Sequence, residues 1–120
     1  KDLADVYSIS IMPVVNDKSD EFVNFFEGLN VKYSNGAPFD SAFLEGANSA
    51  YVFSQALAAT GPSPTRSGLV NSFRTKGGTF STATYGKLDF GTGVSGGKAT
   101  FYVAKFDGGN CDTLTSLFPN

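Results

Sequence analysis

A glycine-rich segment is the part of this sequence whose residue types most directly suggest chemistry. Residues 91–96 read Gly-Thr-Gly-Val-Ser-Gly, and Lys98 follows closely. A dinucleotide-binding fingerprint has this spacing, but it needs a helix N-terminus after the glycines, because backbone amides and the helix dipole hold the pyrophosphate. Residues 99–106 are strand-like instead, and Ala99 stands where a phosphate-binding loop has serine or threonine after its lysine. The segment is therefore predicted to be a hairpin loop.

Catalytic constellations are poorly represented in the chain. It contains no histidine, which excludes Ser-His-Asp and Cys-His catalysis and histidine-ligated metals within these 120 residues. Paired carboxylates such as Asp40 and Glu45 have no spacing that singles out a general acid and base. A serine nucleophile such as Ser41 or Ser95 would lack a base. The sequence predicts no catalysis, no cofactor and no metal.

The composition is that of a globular chain without an evident polyanionic partner. Apolar residues make up 41% and aromatic residues 14%, enough for a core. Nine basic and eleven acidic residues give a net charge of −2, so no nucleic acid partner is expected. Cys111 is the only cysteine; either it pairs with a cysteine elsewhere in a longer secreted chain, or it is a free thiol.

Periodicity predicts one strand, three helices and two further strands. Residues 6–15 alternate as a strand does, and a helix follows, capped by Asp17 or Ser19 and ending near residue 35. A second helix is predicted after a cap at Asp40 or Ser41, and a third over residues 64–76 after a cap at Ser63. Two strands, over residues 85–90 and 99–106, are predicted to form a hairpin.

Apolar spacing predicts which helix faces are buried. The buried stripe expected on the second helix, at spacings of three and four, comprises Leu44, Ala47, Tyr51, Ser54 and Leu57. The residues expected to be buried on the third helix are Leu69, Val70 and Phe73. Gly61 and Pro62 are expected to separate these two helices.

Residues 43–66, which read FLEGANSAYVFSQALAATGPSPTR, also carry a family resemblance. The string resembles a segment near the C-terminus of periplasmic-binding-protein-like type I proteins, the solute receptors of branched-chain amino acid ABC transporters. Asn48 departs from the pattern, since many members have tyrosine there. The resemblance covers nearly all of residues 3–109. Much of the match consists of amphipathic helix together with the Ala-Gly-Pro-Thr-Arg residues between the second and third helices.

The resemblance implies an α/β fold that is a fragment of the two-lobed type I architecture, arranged as a strand, three helices and a β-hairpin. Residues 1–16 would be a hinge-crossing strand, residues 17–78 the helical part of the first lobe, and residues 79–120 the returning hairpin and C-terminal tail. With 120 residues the chain is too short for both lobes. It is expected to be a single compact unit or a swapped oligomer.

The start of the second helix is the main candidate binding site. Unpaired amides there can meet a ligand carboxylate, and Glu45 can meet an ammonium group. In the receptors that the chain resembles, an aromatic residue at this point faces the cleft between the lobes, which by position implies Phe43, with Leu44 and Glu45 as weaker counterparts. The alternative is that Phe43 packs in the core and Glu45 merely favours the helix N-terminus.

The expected function is that of the extracellular solute-binding component of an ABC importer, of which this chain is one part. Its partners would be an amino-acid-like solute and a membrane permease. Its location would be extracellular or periplasmic, either free or at the cell surface through a lipid anchor on the full-length parent. Homo-oligomers through exposed apolar faces are also expected. The alternative is a small secreted α+β interaction module that acts as a dimer. A carboxylate- or serine-dependent enzyme ranks last.

Overall fold

The computed structural model describes residues 6–90, 101–106 and 111–113. In these ranges the chain folds into helices and antiparallel strands. The predicted mixture of helices and strands is therefore confirmed. The helices are α1 (Glu21–Tyr33), α2 (Ser41–Ala58) and α3 (Arg66–Lys76), and a single 3-10 turn (Gly77–Thr79) follows α3. The strands are β1 (Val6–Ser10), β2 (Tyr102–Phe106) and β3 (Cys111–Thr113).

Helix α1 begins one residue after Asp20, which is its N-cap. The Asp20 carboxylate accepts hydrogen bonds from the backbone N–H groups of Phe22 and Val23, both at 2.9 Å. The predicted caps, Asp17 and Ser19, are wrong because these two residues bond to each other. The Asp17 carboxylate accepts from the backbone N–H of Ser19 at 2.9 Å and from its hydroxyl at 2.6 Å. They form a local turn that precedes the helix.

Helices α2 and α3 also begin with an N-cap side chain that accepts a hydrogen bond from a backbone amide. Asp40, one of the two predicted candidates, caps α2 by accepting from the N–H of Phe43 at 2.8 Å. Helix α3 is capped by Thr65, whose hydroxyl accepts from the N–H of Gly68 at 3.0 Å. The predicted cap at Ser63 therefore lies two residues too early. Each cap satisfies an amide that the first helical turn leaves without an intrahelical partner.

The sheet joins the two ends of the described chain. Strand β1 pairs antiparallel with β2, from Val6 opposite Phe106 to Ser10 opposite Tyr102, and β2 pairs with β3. Strand β1 is shorter than predicted because the Ser10 hydroxyl bonds to the backbone N–H and C=O of Met12 and turns the chain. The sheet order is β1-β2-β3, so β2 is central among the described strands.

The predicted hairpin between residues 85–90 and 99–106 is wrong in its first strand. Residues 85–90 contain no strand. Gly86 has a φ of 81°, which interrupts an extended run, and the backbone N–H of Tyr85 donates to the carbonyl of Ile11 at 2.9 Å. Strand β2 instead pairs with β1 and β3. The predicted glycine loop over residues 91–97 lies outside the described residues.

The main core forms between α1 and α2. Val23 and Phe26 from α1 meet Leu44 from α2 and Ala83 from the segment after α3, and all four are buried. Rings from both helices extend this core, with centroids 5.2 to 6.3 Å apart among Phe22, Phe25, Phe26 and Tyr51. Interlocking rings fix how α1 lies on α2, since offset and edge contacts favour particular geometries.

The buried face of α2 differs from the predicted stripe. Its buried residues are spaced by four: Leu44, Asn48, Val52 and Ala56. Leu57 and Ser54 from the predicted stripe are exposed. On α3 the predicted core residue Val70 is 44% exposed, whereas Ser72 is buried and its hydroxyl donates to the carbonyl of Ala56 at 2.9 Å. Polar contacts thus contribute to the buried faces of both helices.

Two carboxamides on α2 hold the segment that follows α3. Asn48 Oδ1 accepts from the N–H of Ala83 at 2.7 Å and from the hydroxyl of Thr82 at 3.1 Å. Gln55 makes two bonds to the backbone of Ser81, one as donor and one as acceptor, both at 2.8 Å. These bonds place Ala83 in the core and fix the approach of Tyr85 to the sheet.

Replacing Asn48 by alanine should therefore destabilise the fold. In Asn48→Ala the buried N–H of Ala83 loses its acceptor, which costs about 1–3 kcal/mol of unfolding free energy. Urea denaturation followed by circular dichroism measures this. Asn71→Ala, the same change at an exposed position of α3, should stay within about 0.5 kcal/mol of wild type. Equal losses in the two variants would contradict the anchoring role.

Candidate functional site

The three predicted site residues lie at the start of α2 but face different directions. Consecutive helical residues are rotated by about 100° from one another. Leu44 is 1% exposed and belongs to the core, Phe43 is half-buried, and Glu45 is exposed. The structure therefore does not bring the three side chains onto one surface.

Two of the amides at the start of α2 have partners within the chain. The Asp40 carboxylate accepts from the N–H of Phe43, and the Asp40 carbonyl accepts from the N–H of Leu44 at 3.0 Å. The Asp40 carboxylate also places a negative charge at the positive end of the helix dipole. A ligand carboxylate bound there would have to displace Asp40 or avoid it. An ammonium group meets no such obstacle.

Phe43 belongs to a small aromatic surface beside this helix start. Its ring lies 5.7 Å from that of Phe39 in an edge-to-face arrangement with an interplanar angle of 61°. Both rings are half-buried and pack against the main core. The two neighbouring rings offer an apolar contact at this point. The exposed carboxylate of Glu45 lies two residues further along the helix and on a different side of it. The rings suit an apolar portion of a small solute, and the carboxylate suits an ammonium group.

A tyrosine pair links the segment after α3 to the sheet, and no pattern in the sequence indicates it. The rings of Tyr85 and Tyr102 are 5.1 Å apart and nearly perpendicular, at 86°. Burial raises the pKa of Tyr85 to about 12, and repulsion from the neighbouring Tyr102 adds to the effect. Only the pairing of β1 with β2 brings these residues together, so local patterns could not reveal the contact.

An open depression on α3 is a second feature that the predictions missed. It has a volume of about 670 Å³, and its described lining residues are Arg66, Ser67, Val70, Asn71 and Arg74. All five are exposed. The sequence did carry a signal, since the only two arginines of the chain lie eight residues apart on this one helix.

Metal and membrane sites are not found in the part of the chain that the structure describes. Within residues 6–90, 101–106 and 111–113, no three His, Cys, Asp or Glu side chains are grouped so that they could hold a metal ion. None of the helices in these ranges is long and apolar enough to span a membrane.

Comparisons of the chain with protein-family models, curated proteins and solved structures found no match.

The burial of Leu44 gives a direct test of its structural role. Leu44→Ala should lower the unfolding free energy by about 2–5 kcal/mol, because a filled core position becomes a cavity. Leu57→Ala, on the same helix but 38% exposed, should cost less than half as much. Chemical denaturation of both variants measures the difference. A Leu44→Ala variant as stable as Leu57→Ala would show that the side chain is not a core residue.

The raised pKa of Tyr85 makes stability depend on pH at the alkaline end. The folded state favours the neutral phenol, so this contribution is complete below pH 10.0, the ordinary pKa, and is lost as the pH rises towards about 12. Tyr85→Phe cannot ionise and should lose less stability over this interval than wild type. Urea midpoints at both pH values measure the effect.

Tyr33→Phe, at a position that is 66% exposed, is the matched control for this pH experiment. It should show the same alkaline loss of stability as wild type. If Tyr85→Phe lost as much stability as Tyr33→Phe, ionisation of Tyr85 would not be coupled to folding.

Proposed function

We propose that this chain is part of an extracellular solute-binding receptor of the periplasmic-binding-protein-like type I class. The parent receptor binds a small polar solute, such as an amino acid, between two lobes and delivers it to an ABC permease in the membrane. It acts without catalysis and without a cofactor. In this proposal the protein is extracellular or periplasmic, either free or held at the cell surface by a lipid anchor on the full-length parent.

The position of β1 beside β2 is the observation that carries the proposal. The two strands are separated by the whole helical layer in sequence, yet they pair antiparallel over five residues each. In the resembled receptors the chain crosses between the lobes several times at the hinge. Strand β1 precedes the three helices and β2 follows them, which fits a chain that crosses the hinge before and after the helices of one lobe. The motif over residues 43–66 supports the same assignment.

Exposed apolar side chains favour a larger parent. Val31 on α1 is 80% exposed, and on β1 the exposure is 71% for Ile9 and 61% for Tyr7. Tyr7 and Ile9 alternate with serines along β1, so they lie on one face of the strand. Contiguous apolar surface on a soluble protein usually marks a contact with another part of the protein or with a partner. The second lobe and its strands would supply that cover.

In the receptor proposal the predicted site residues take separate roles. Phe43, with Phe39, gives the solute an aromatic contact, and the exposed Glu45 carboxylate accepts a hydrogen bond from its ammonium group. Leu44 fixes the start of α2 in the core. The solute's carboxylate is bound by the other wall of the cleft, because Asp40 occupies the helix terminus on this side.

A small secreted interaction module that acts as a dimer is the second candidate. The observation that favours it is the position of β1 at the edge of the sheet, because β1 pairs only with β2 among the described strands. Its side chains Val6, Tyr7 and Ile9 are also exposed. A second copy covering this strand would bury the apolar side chains and satisfy its edge. The two candidates differ in what covers β1.

Native mass spectrometry of the protein purified from its source separates the candidates. The receptor proposal expects a chain longer than these 120 residues with a retained small solute. A species of only these 120 residues, as a monomer or a dimer without solute, would overturn it. The dimer alone would support the interaction module.

The solute contact of Glu45 has its own test in the parent protein. Glu45→Gln removes the negative charge and should weaken binding of the identified solute about tenfold or more in isothermal titration calorimetry. Glu21→Gln, at the exposed start of α1, should bind as wild type does. Unchanged affinity in Glu45→Gln would remove Glu45 from the site.

A further inference from the structure

We infer that the exposed face of α3 is a docking surface for an acidic segment of a partner protein. The juxtaposition that carries this inference is Arg66, Val70 and Arg74, spaced by four residues along one side of the helix. The inference concerns a different surface from the solute site at the start of α2 and does not depend on the proposed solute binding.

The sequence around α3 carries only positively charged side chains, although the whole chain is acidic. The whole chain has a net charge of −2, yet residues 46–88 contain no aspartate or glutamate at all. The same stretch contains Arg66, Arg74, Lys76 and Lys87. Among the described residues, neither arginine forms an ion pair; the ion pair found there joins Lys18 and Glu27 on and before α1. The positive charge of α3 is therefore available to a partner.

The position of Arg66 is not explained by helix stability. It is the first residue of α3, whose first turn has no acidic residue. A positive charge at this end opposes the helix dipole and costs about 0.3–1 kcal/mol. Arg74 and Lys76, in the last turn, favour the dipole and need no further explanation. Because Arg66 lowers the stability of the helix that it begins, a role in binding accounts better for its position.

The geometry matches a segment with two separated carboxylates. Eight residues along a helix correspond to about 12 Å, which separates the attachment points of the two guanidinium groups. Val70 lies halfway between them, is 44% exposed and gives an apolar contact at the centre. Arginine binds carboxylates through two parallel N–H···O bonds, which gives such pairs direction as well as charge.

A protein segment is favoured over a small anion because of how open the surface is. The five described residues that line the depression all belong to α3 and all are exposed. Small-molecule sites enclose most of the ligand surface, which one exposed helix face does not. An acidic helix or extended segment lying along α3 can instead contact both arginines and Val70 together.

The test uses a fluorescent helical peptide with two glutamates eight positions apart and a leucine midway. Fluorescence anisotropy should show binding to the wild-type chain that weakens as salt is added. Arg66→Gln/Arg74→Gln should weaken binding about tenfold or more. Lys32→Gln/Lys87→Gln removes the same charge at exposed positions away from this face and should bind as wild type does. Circular dichroism checks that both variants are folded.

Matched peptides make the outcome decisive. A peptide with glutamine in place of both glutamates should bind weakly to every variant, and one with its glutamates four positions apart should bind less well than the original. The inference is overturned if the original peptide does not bind, or if it binds the double arginine variant as tightly as wild type. Tighter binding of anionic lipid vesicles or of single-stranded oligonucleotide than of the peptide would also overturn it.

Discussion

The buried carboxamide of Asn48 is the interaction on which the rest of the structure depends. Its oxygen accepts from the backbone of Ala83 and the hydroxyl of Thr82, and so fastens the segment after α3 to the middle of α2. Ala83 then completes the core between α1 and α2. Two residues further on, Tyr85 reaches the sheet through Ile11 and Tyr102. Helices and sheet are thereby joined through one short segment.

Local signals predicted the helices well and the sheet poorly, for physical reasons. Caps, glycines and apolar spacing act within a few residues. The number of helices, a cap at Asp40 or Ser41 and the break between α2 and α3 at Gly61 could therefore be predicted. The errors at Asp17 and Ser63 arose because several capping residues lie close together, and only the hydrogen bonds distinguish them. The strand pairing failed because the partner of β2 lies almost the whole chain away, where no turn signal specifies it.

The candidate site was predictable only as a segment of sequence. Its location at a helix start followed from Asp40, but which side chains share a surface depends on packing, which buries Leu44 and leaves Glu45 exposed. Asn48 was interpreted as a departure from a family pattern, although a polar residue on a buried face is itself a sign of a specific partner. The α3 surface differs in this respect. Its two arginines are evident in the sequence, and a helix over these residues is enough to place both on one side.

The bonds from Gln55 and Asn48 also make the conformation of one segment depend on residues far away in sequence. Ser81 and Ala83 receive from side chains 26 and 35 residues upstream the hydrogen bonds that a neighbouring strand would otherwise provide. The conformation of this segment therefore depends on side chains of α2 as well as on its own residues. A substitution on α2 at either carboxamide would act at a distance, on a backbone that is remote in sequence.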